Sequence, residues 1–395
     1  MICFLVLLGR VVTLVEAERR REIADRRLAY IGAQDGHDVY LTIDINIQRI
    51  SEQRLSRAVR ESHADSGNVI VMNPQTGDIL AMASYPDFNL NQPFVPNATN
   101  YDYWNSLNPG ERNHILYNMW RNTAVQNTFE PGSTFKFITA AAGIEENRAT
   151  LHGANAFYCS GSEAVGGLHI NCWRHDRPHG HQSLNEAFGG SCNPAFMQLA
   201  RQIGTPTMYK YFEAFGLFNR TNSGLYGESG SVFHNIENVG ATELATMSFG
   251  QRFNITPLQL ITAVSAIAND GVLMEPNIVS QVRNTETGVI TVTEPTPVRQ
   301  VLSSRTAEQL MEMSLYTVTD GTGGRARVPG FVVGGKSGTS EPPVRKTRRR
   351  FHCFICRNDS NCRYTASSVS NNTQPNCWAS PRRTSSRTCC FSNIR

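Results

Sequence analysis

The chain has 395 residues, 40% of them hydrophobic, 9% aromatic and 18% charged, with a net charge of +4. That length and apolar content exclude a wholly disordered chain and leave room for two or three domains around a substantial core. The charge is uneven: residues 342–395 carry eleven Lys/Arg against the single acid Asp359, so residues 1–341 are net acidic and give no general reason to expect a nucleic-acid partner.

The apolar run Ile2–Leu8 is broken by Gly9-Arg10 before Val11–Val15. It is too short to span a membrane, lacks the positive start and small-residue cleavage site of a signal peptide, and reads as a strand or helix fragment. Residues 16–27 are charge-dense and are expected to be solvated. Asp44 opens a helical pattern with Ile47, Ile50, Leu55 and Val59 on one face. Val69–Met72 and Ile79–Ala83, separated by Asn73-Pro74-Gln75-Thr76-Gly77, form a hairpin signal. Residues 85–110, rich in Pro, Asn and Tyr, are expected to form an excursion with little regular structure.

Pro131-Gly132-Ser133 precedes a helix containing Phe135, Phe137, Ile138 and Ala140–Ala142. Residues 185–203 read as a helix pair broken near Gly189-Gly190, and residues 256–269 as a helix with proline in its first turn. Residues 277–301 alternate like strands and residues 306–319 are helical. Gly330–Gly335 leads as a strand into Lys336.

Three short motifs carry chemistry. In Ser133-Thr134-Phe135-Lys136, positions i and i+3 of a helix start share a face, which can set Lys136 beside the Ser133 hydroxyl. The positive helix end and burial both disfavour the ammonium, so the amine can serve as a base, and backbone N–H groups there can receive an oxyanion. In Ser191-Cys192-Asn193, a hydroxyl and an amide two residues apart can reach one cleft, to relay a proton and to bind a peptide carbonyl. In Lys336-Ser337-Gly338-Thr339, strand alternation puts Lys336 and Gly338 on one face and Ser337 and Thr339 on the other. Gly338 is expected to leave room for a substrate backbone, and the cation and hydroxyls suit a carboxylate. Taken singly, each is commonplace: a capping serine with a surface lysine, a turn, a strand running into a turn.

In this order the trio resembles the penicillin-binding protein and serine β-lactamase superfamily. Phe129–Lys136 is similar to the nucleophile segment of class B penicillin-binding proteins, and Ser248-Phe249-Gly250-Gln251 with Thr256-Pro257-Leu258-Gln259 resembles another of their segments. Tyr40–Asp44 and Met72–Met82 resemble the entry to their transpeptidase domain, with a flavour of Gram-positive sporulation or division proteins. The resemblance covers residues 37–341. It implies an α/β (α+β) fold with a central antiparallel sheet flanked by helices plus a helical subdomain.

It further implies a serine D,D-transpeptidase. Ser133 would attack the penultimate D-Ala carbonyl of a peptidoglycan stem peptide with Lys136 as base, and a neighbouring stem amine would take the acyl group. Ser191 and Asn193 would relay the proton and orient the peptide, while Lys336, Ser337, Gly338 and Thr339 would face the substrate carboxylate end. β-Lactams would acylate Ser133, no metal or organic cofactor is implied, and a glycosyltransferase is a candidate partner. The implied location is the outer face of the cytoplasmic membrane, although residues 1–36 hold no convincing anchor and too little chain for the family's pedestal. The alternatives are an inactive or truncated relative, or a serine β-lactamase. The class A form of the latter is weakened because no Glu between Ser191 and Lys336 is followed four residues later by Asn.

After Glu341 the character changes. Only Val344, Ile355, Val369 and Ile394 are aliphatic and only three residues are phenylalanine, and six of the ten cysteines lie past residue 352. Residues 342–395 are therefore expected to be disordered or read in a shifted frame. The family's last two sheet strands and closing helix would then be missing, Phe351–Cys356 being the one strand-like run. His352, Cys353, Cys356 and Cys362 offer a zinc half-site without a second half.

Overall fold

The computed structural model describes residues 10–16, 21–31, 36–96, 101–340, 349–357 and 388–394. They fall into two units, residues 1–42 with 279–294 and residues 43–278 with 295–395. In the first unit, Asp38–Leu41, Val279–Arg283 and Ile290–Val292 form a three-stranded antiparallel sheet with Val279–Arg283 in the middle. Arg10–Glu16 pairs with Arg21–Ile31, so the charge-dense stretch is extended backbone from Arg21 onward.

The second unit is built on a five-stranded antiparallel sheet. The expected hairpin is present as Gly67–Met72 and Ile79–Tyr85. Alternation along it feeds two cores. Val69, Val71, Ala81 and Ala83 pack with Leu55, Ala58 and Val59 of the helix Ile45–Glu61. Ile70, Met72 and Ile79 join the main core. Asp44 caps the first helix, its carboxylate accepting from Asn46 N at 2.8 Å and Ile47 N at 3.2 Å. All twelve residues of the helix Pro257–Ala268 are buried, and Thr256 and Gln259 close its start as a capping box.

The other edge of the sheet is the motif strand Val332–Ser340. Two strands from the basic segment, Arg349–Arg357 and Thr388–Ile394, lie between it and Gly67–Met72. This corrects the expectation that the last two strands are missing and that the whole segment is disordered. Lys336 pairs with Cys353, Cys353 with Phe391, and Phe391 with Ile70. The physical reason is the backbone: a central strand buried on both faces needs partners for its N–H and C=O groups, and any chain of adequate β-propensity can provide them. Cysteine, which behaves as a small hydrophobe, adds to the apolar content of these two strands beyond their aliphatic residues and Phe. Among the described residues no helix follows Val332–Ser340.

The 85–110 excursion is more regular than expected. It contains Tyr101–Ser106 and runs into Pro109–Trp120, which starts with a capping box of Asn108 and Glu111. That helix buries only Leu116, so it shows little apolar periodicity to read. Among the described residues no helix is long and apolar enough to cross a membrane.

Candidate active site

Ser133 sits in a single 3₁₀ turn, Gly132–Phe135, that leads directly into the helix Lys136–Glu145. Three glycines let this turn be clamped. Gly132 has φ +56°, and a Cβ there would lie 2.8 Å from Thr339 O. Gly250, at φ +83°, accepts from Gly132 N at 2.8 Å, and its own Cβ would overlap Gly132 O. A Cβ on Gly338 would meet Pro131 O at 3.0 Å and Thr134 N at 3.1 Å. Gly338 therefore makes room for the nucleophile turn on the side where a Cβ would project. Phe129 and Ile255 exchange backbone hydrogen bonds of 2.9 and 3.1 Å, and Arg252 N donates to Glu130 Oε1 at 3.0 Å. Phe135 anchors the turn from below, 4.6 Å from Phe253 and 5.2 Å from Phe212 between ring centres. The segments 129–136 and 248–255, distant in sequence, thus form one rigid unit.

Ser133 is half-buried, and among the described residues its hydroxyl has no hydrogen-bond partner. Lys136, one turn on, is fully buried. Its Nζ donates to Asn193 Oδ1 at 2.7 Å, to Ser191 O at 2.9 Å and to Ser191 Oγ at 3.3 Å. Lys336, equally buried, donates to Ser191 Oγ at 2.9 Å and to Ser337 O at 2.9 Å. The structure thus brings Lys136, Ser191, Asn193 and Lys336 into one network beneath the Ser133 turn. Ser191 has φ +55°, a left-handed conformation rare for a side-chain-bearing residue, at the break between the helices Leu184–Gly189 and Asn193–Ile203. The break falls where the sequence placed it.

Alternation on the motif strand is as expected: Lys336 and Gly338 face inward, Ser337 is half-buried and Thr339 exposed. Its consequence differs from the carboxylate-clamp expectation, because Lys336 joins the buried Ser191 network and the opposite face carries the hydroxyls.

Neither lysine has a carboxylate partner among the described residues. Burial lowers the pKa of Lys136 to about 7, opposed by the nearby Cys192 and Cys172. Burial, then the proximity of Lys136, holds Lys336 well below the usual lysine range. The rings of Phe196, 5.2 Å from Lys136 Nζ, and Phe188, 5.8 Å from Lys336 Nζ, offer partial compensation for a cation. The arrangement is a serine above a buried relay, Lys136–Ser191–Lys336, in which an amine can be neutral near neutral pH and accept a hydroxyl proton.

Sequence reasoning missed one cluster beside this site. Cys159, Cys172, His179 and Cys192 come together with their donor atoms all within 4.8 Å of one another. Twelve, six and twelve residues separate them, with none of the close pairs that signal a metal site. Cys192 and then His179 hold the Cys172 thiol far below its usual pKa, while Cys172 pushes that of Cys192 up. The tail residues His352, Cys353, Cys356 and Cys362 have side chains outside the described part of the structure.

A serine above two buried lysines at the edge of an antiparallel sheet defines a recognisable class of site, and the comparisons with known proteins specify the family. The penicillin-binding protein transpeptidase domain matches residues 67–356, a span that includes all but the last residue of the first tail strand. The chain belongs to that family. Stage V sporulation protein D of Bacillus subtilis is 37% identical over 81% of this chain and 47% of its own length. Penicillin-binding protein PbpB of Mycolicibacterium smegmatis is 30% identical over 78% of this chain and 45% of its own length. The chain spans about half the length of the curated relatives it matches. Penicillin binding protein 3 of Mycobacterium tuberculosis, solved in complex with aztreonam, superposes with a TM-score of 0.72 at 26% identity, over 92% of this chain and 74% of that one.

Proposed function

We propose that the chain is a serine D,D-transpeptidase that cross-links peptidoglycan stem peptides. The observation that carries the reading is the buried Lys136, without an acidic partner and joined to Ser191, Asn193 and, through Ser191, to Lys336, one turn beyond the accessible Ser133. Neutral Lys136 takes the Ser133 proton as Oγ attacks the penultimate D-Ala carbonyl. The backbone N–H groups of Ser133 and Thr339 receive the oxyanion. The C–N bond breaks, the proton passes through the Lys136–Ser191–Lys336 relay to the departing D-alanine amine, and an acyl-enzyme remains. An amine from a second stem peptide then attacks the ester, loses its proton to the same base, and frees Ser133.

Asn193 Oδ1 serves Lys136, and its amide NH₂, without a partner among the described residues, can meet a donor carbonyl. Ser337 and Thr339, on the outward face of the motif strand, bind the terminal carboxylate. β-Lactams present the same carbonyl geometry and trap Ser133. A domain with this reaction works at the outer face of the cytoplasmic membrane, beside a glycosyltransferase that supplies the glycan strands. The test is intact mass after incubation with benzylpenicillin, beside Ser133→Ala. One covalent adduct on the parent and none on the variant supports the proposal. No adduct on folded parent protein overturns it and leaves an inactive relative.

A further inference from the structure

Cys192 lies between the two site residues Ser191 and Asn193, and its side chain points the other way, into the cluster with Cys159, Cys172 and His179. We propose that these four residues bind one zinc ion, and that this ion fixes the Ser191–Asn193 segment against the buried lysines.

The donor set is the first argument. Three sulfurs and one imidazole make a Cys₃His set, a recurrent structural zinc site and a poor match to the hard oxygen-seeking cations. The second is geometry. Zinc–sulfur bonds of about 2.3 Å and zinc–nitrogen bonds of about 2.0 Å in a tetrahedron require donors about 3.5–3.8 Å apart. The four donor atoms lie within 4.8 Å of one another, and Cys172 Sγ is 3.6 Å from His179 Nδ1. Ligation asks for a small contraction and no change of fold.

The third argument is how each ligand is mounted. Cys159 ends the strand Phe157–Cys159, which pairs with Gly180–Gln182 so that Cys159 faces Gly180, next to His179. Cys172 follows the strand Leu168–Asn171, and its N–H donates to Gly161 O at 2.8 Å. Cys192 caps the helix Asn193–Ile203 without a side-chain capping bond, which leaves its sulfur for other work. Gln182 Nε2 donates to that sulfur at 3.0 Å, the kind of outer partner that orients a thiolate ligand. The ring's other nitrogen, His179 Nε2, is buried and has no hydrogen-bond partner among the described residues. An imidazole enclosed in this way, beside three buried sulfurs, has no structural hydrogen bond to justify it other than the Cys172 contact. No disulfide joins Cys159, Cys172 or Cys192 in the structure, so the three sulfurs are placed to ligate.

The fourth argument is what the cluster ties together. Four pieces of chain carry the ligands: the strand ending at Cys159, the segment after Leu168–Asn171, the lead into Gly180–Gln182, and the junction of the two helices bearing Ser191, which Trp173 Nε1 already joins by donating to Gly190 O at 3.0 Å. A single ion would cross-link all four pieces. Ser191 is held in a left-handed conformation, which persists only where surrounding structure fixes it, and a ligand at the next residue supplies that constraint.

The test uses the whole chain, purified under reducing conditions and dialysed against metal-free buffer. Elemental analysis should find about one zinc per chain, falling to a small fraction in Cys159→Ser and Cys172→Ser. Replacing Cys353, Cys356 and Cys362 together by Ser should leave the zinc in place, and so should Ser133→Ala. Because the ligand variants could fail to fold, the unaltered chain is also refilled with cobalt(II), which should show the visible bands of a tetrahedral thiolate site. A chain without metal whose body thiols all react as free thiols overturns the site, as does zinc that follows the tail cysteines. The positioning role rests on the transpeptidase reading and is read separately. Removing the metal should slow penicillin acylation of Ser133 at least tenfold, and adding zinc should restore it. Acylation indifferent to the metal overturns the positioning role, whatever the zinc content.

Discussion

If Lys136 is the base, the rate of Ser133 acylation must follow its ionisation. Burial brings the amine from the usual 10.5 to about 7, a bias of about 5 kcal/mol against the buried ammonium. About one molecule in ten then carries neutral Lys136 at pH 6 and about nine in ten at pH 8. The acylation rate constant with a reporter penicillin, measured by stopped flow below saturation, should rise about tenfold between those values and level off above pH 8. An unshifted lysine would give a rise of about a hundredfold over the same range, continuing past pH 10. Lys136→Arg keeps a cation of similar length but cannot supply a neutral amine, and should cost about 10²–10⁴ in rate at every pH. A rate still climbing log-linearly at pH 9.5, or an arginine variant of parental rate, would refute the assignment. The same shift sets a stability slope. The folded chain binds fewer protons at Lys136 than the unfolded chain between about pH 7 and 10.5, so this residue's burial is least costly above 10.5 and its cost grows as pH falls to 7.

Ser191→Ala removes the hydroxyl shared by the two lysines and should lower acylation by about 10²-fold with a circular-dichroism spectrum like the parent's, since Ser191 O still accepts from Lys136. Gly132→Ala forces a Cβ to 2.8 Å from Thr339 O at φ +56°. It should cost about 1–3 kcal/mol in urea unfolding and displace the motif strand enough to impair acylation; parental values in both would show that the turn is not clamped as described. Cys390→Pro deletes a backbone N–H from a strand with partners on both sides, Phe354 and Val71. A loss of about 3 kcal/mol or more, seen as a drop in Tm, is expected if that strand is integral. An unchanged Tm would mean that the sheet does not depend on it. Thr256→Ala should cost about 1 kcal/mol through the lost cap of the helix Pro257–Ala268.

Much of this was written in the sequence because the signals are local. Asp44 and Thr256 as caps, the hairpin across Asn73–Gly77, and the break between the helices at Gly189–Gly190 depend on neighbours within a few residues. The order of the three motifs told the family for the same reason. Tertiary structure alone decided the rest. Whether Lys136 and Lys336 are bases or surface cations depends on burial and on Ser191 lying between them, 55 and 145 residues away in the chain. That Gly338 lets the Pro131–Thr134 turn pack against the motif strand is visible only in the fold. The tail strands were misjudged because composition reports whether a segment can fold alone, and these two have the ready-made edges of a buried sheet to pair with. The Cys159–Cys172–His179–Cys192 cluster is spread over intervals that match no linear pattern, and only the convergence of two short strand pairs on a helix junction brings its donors together.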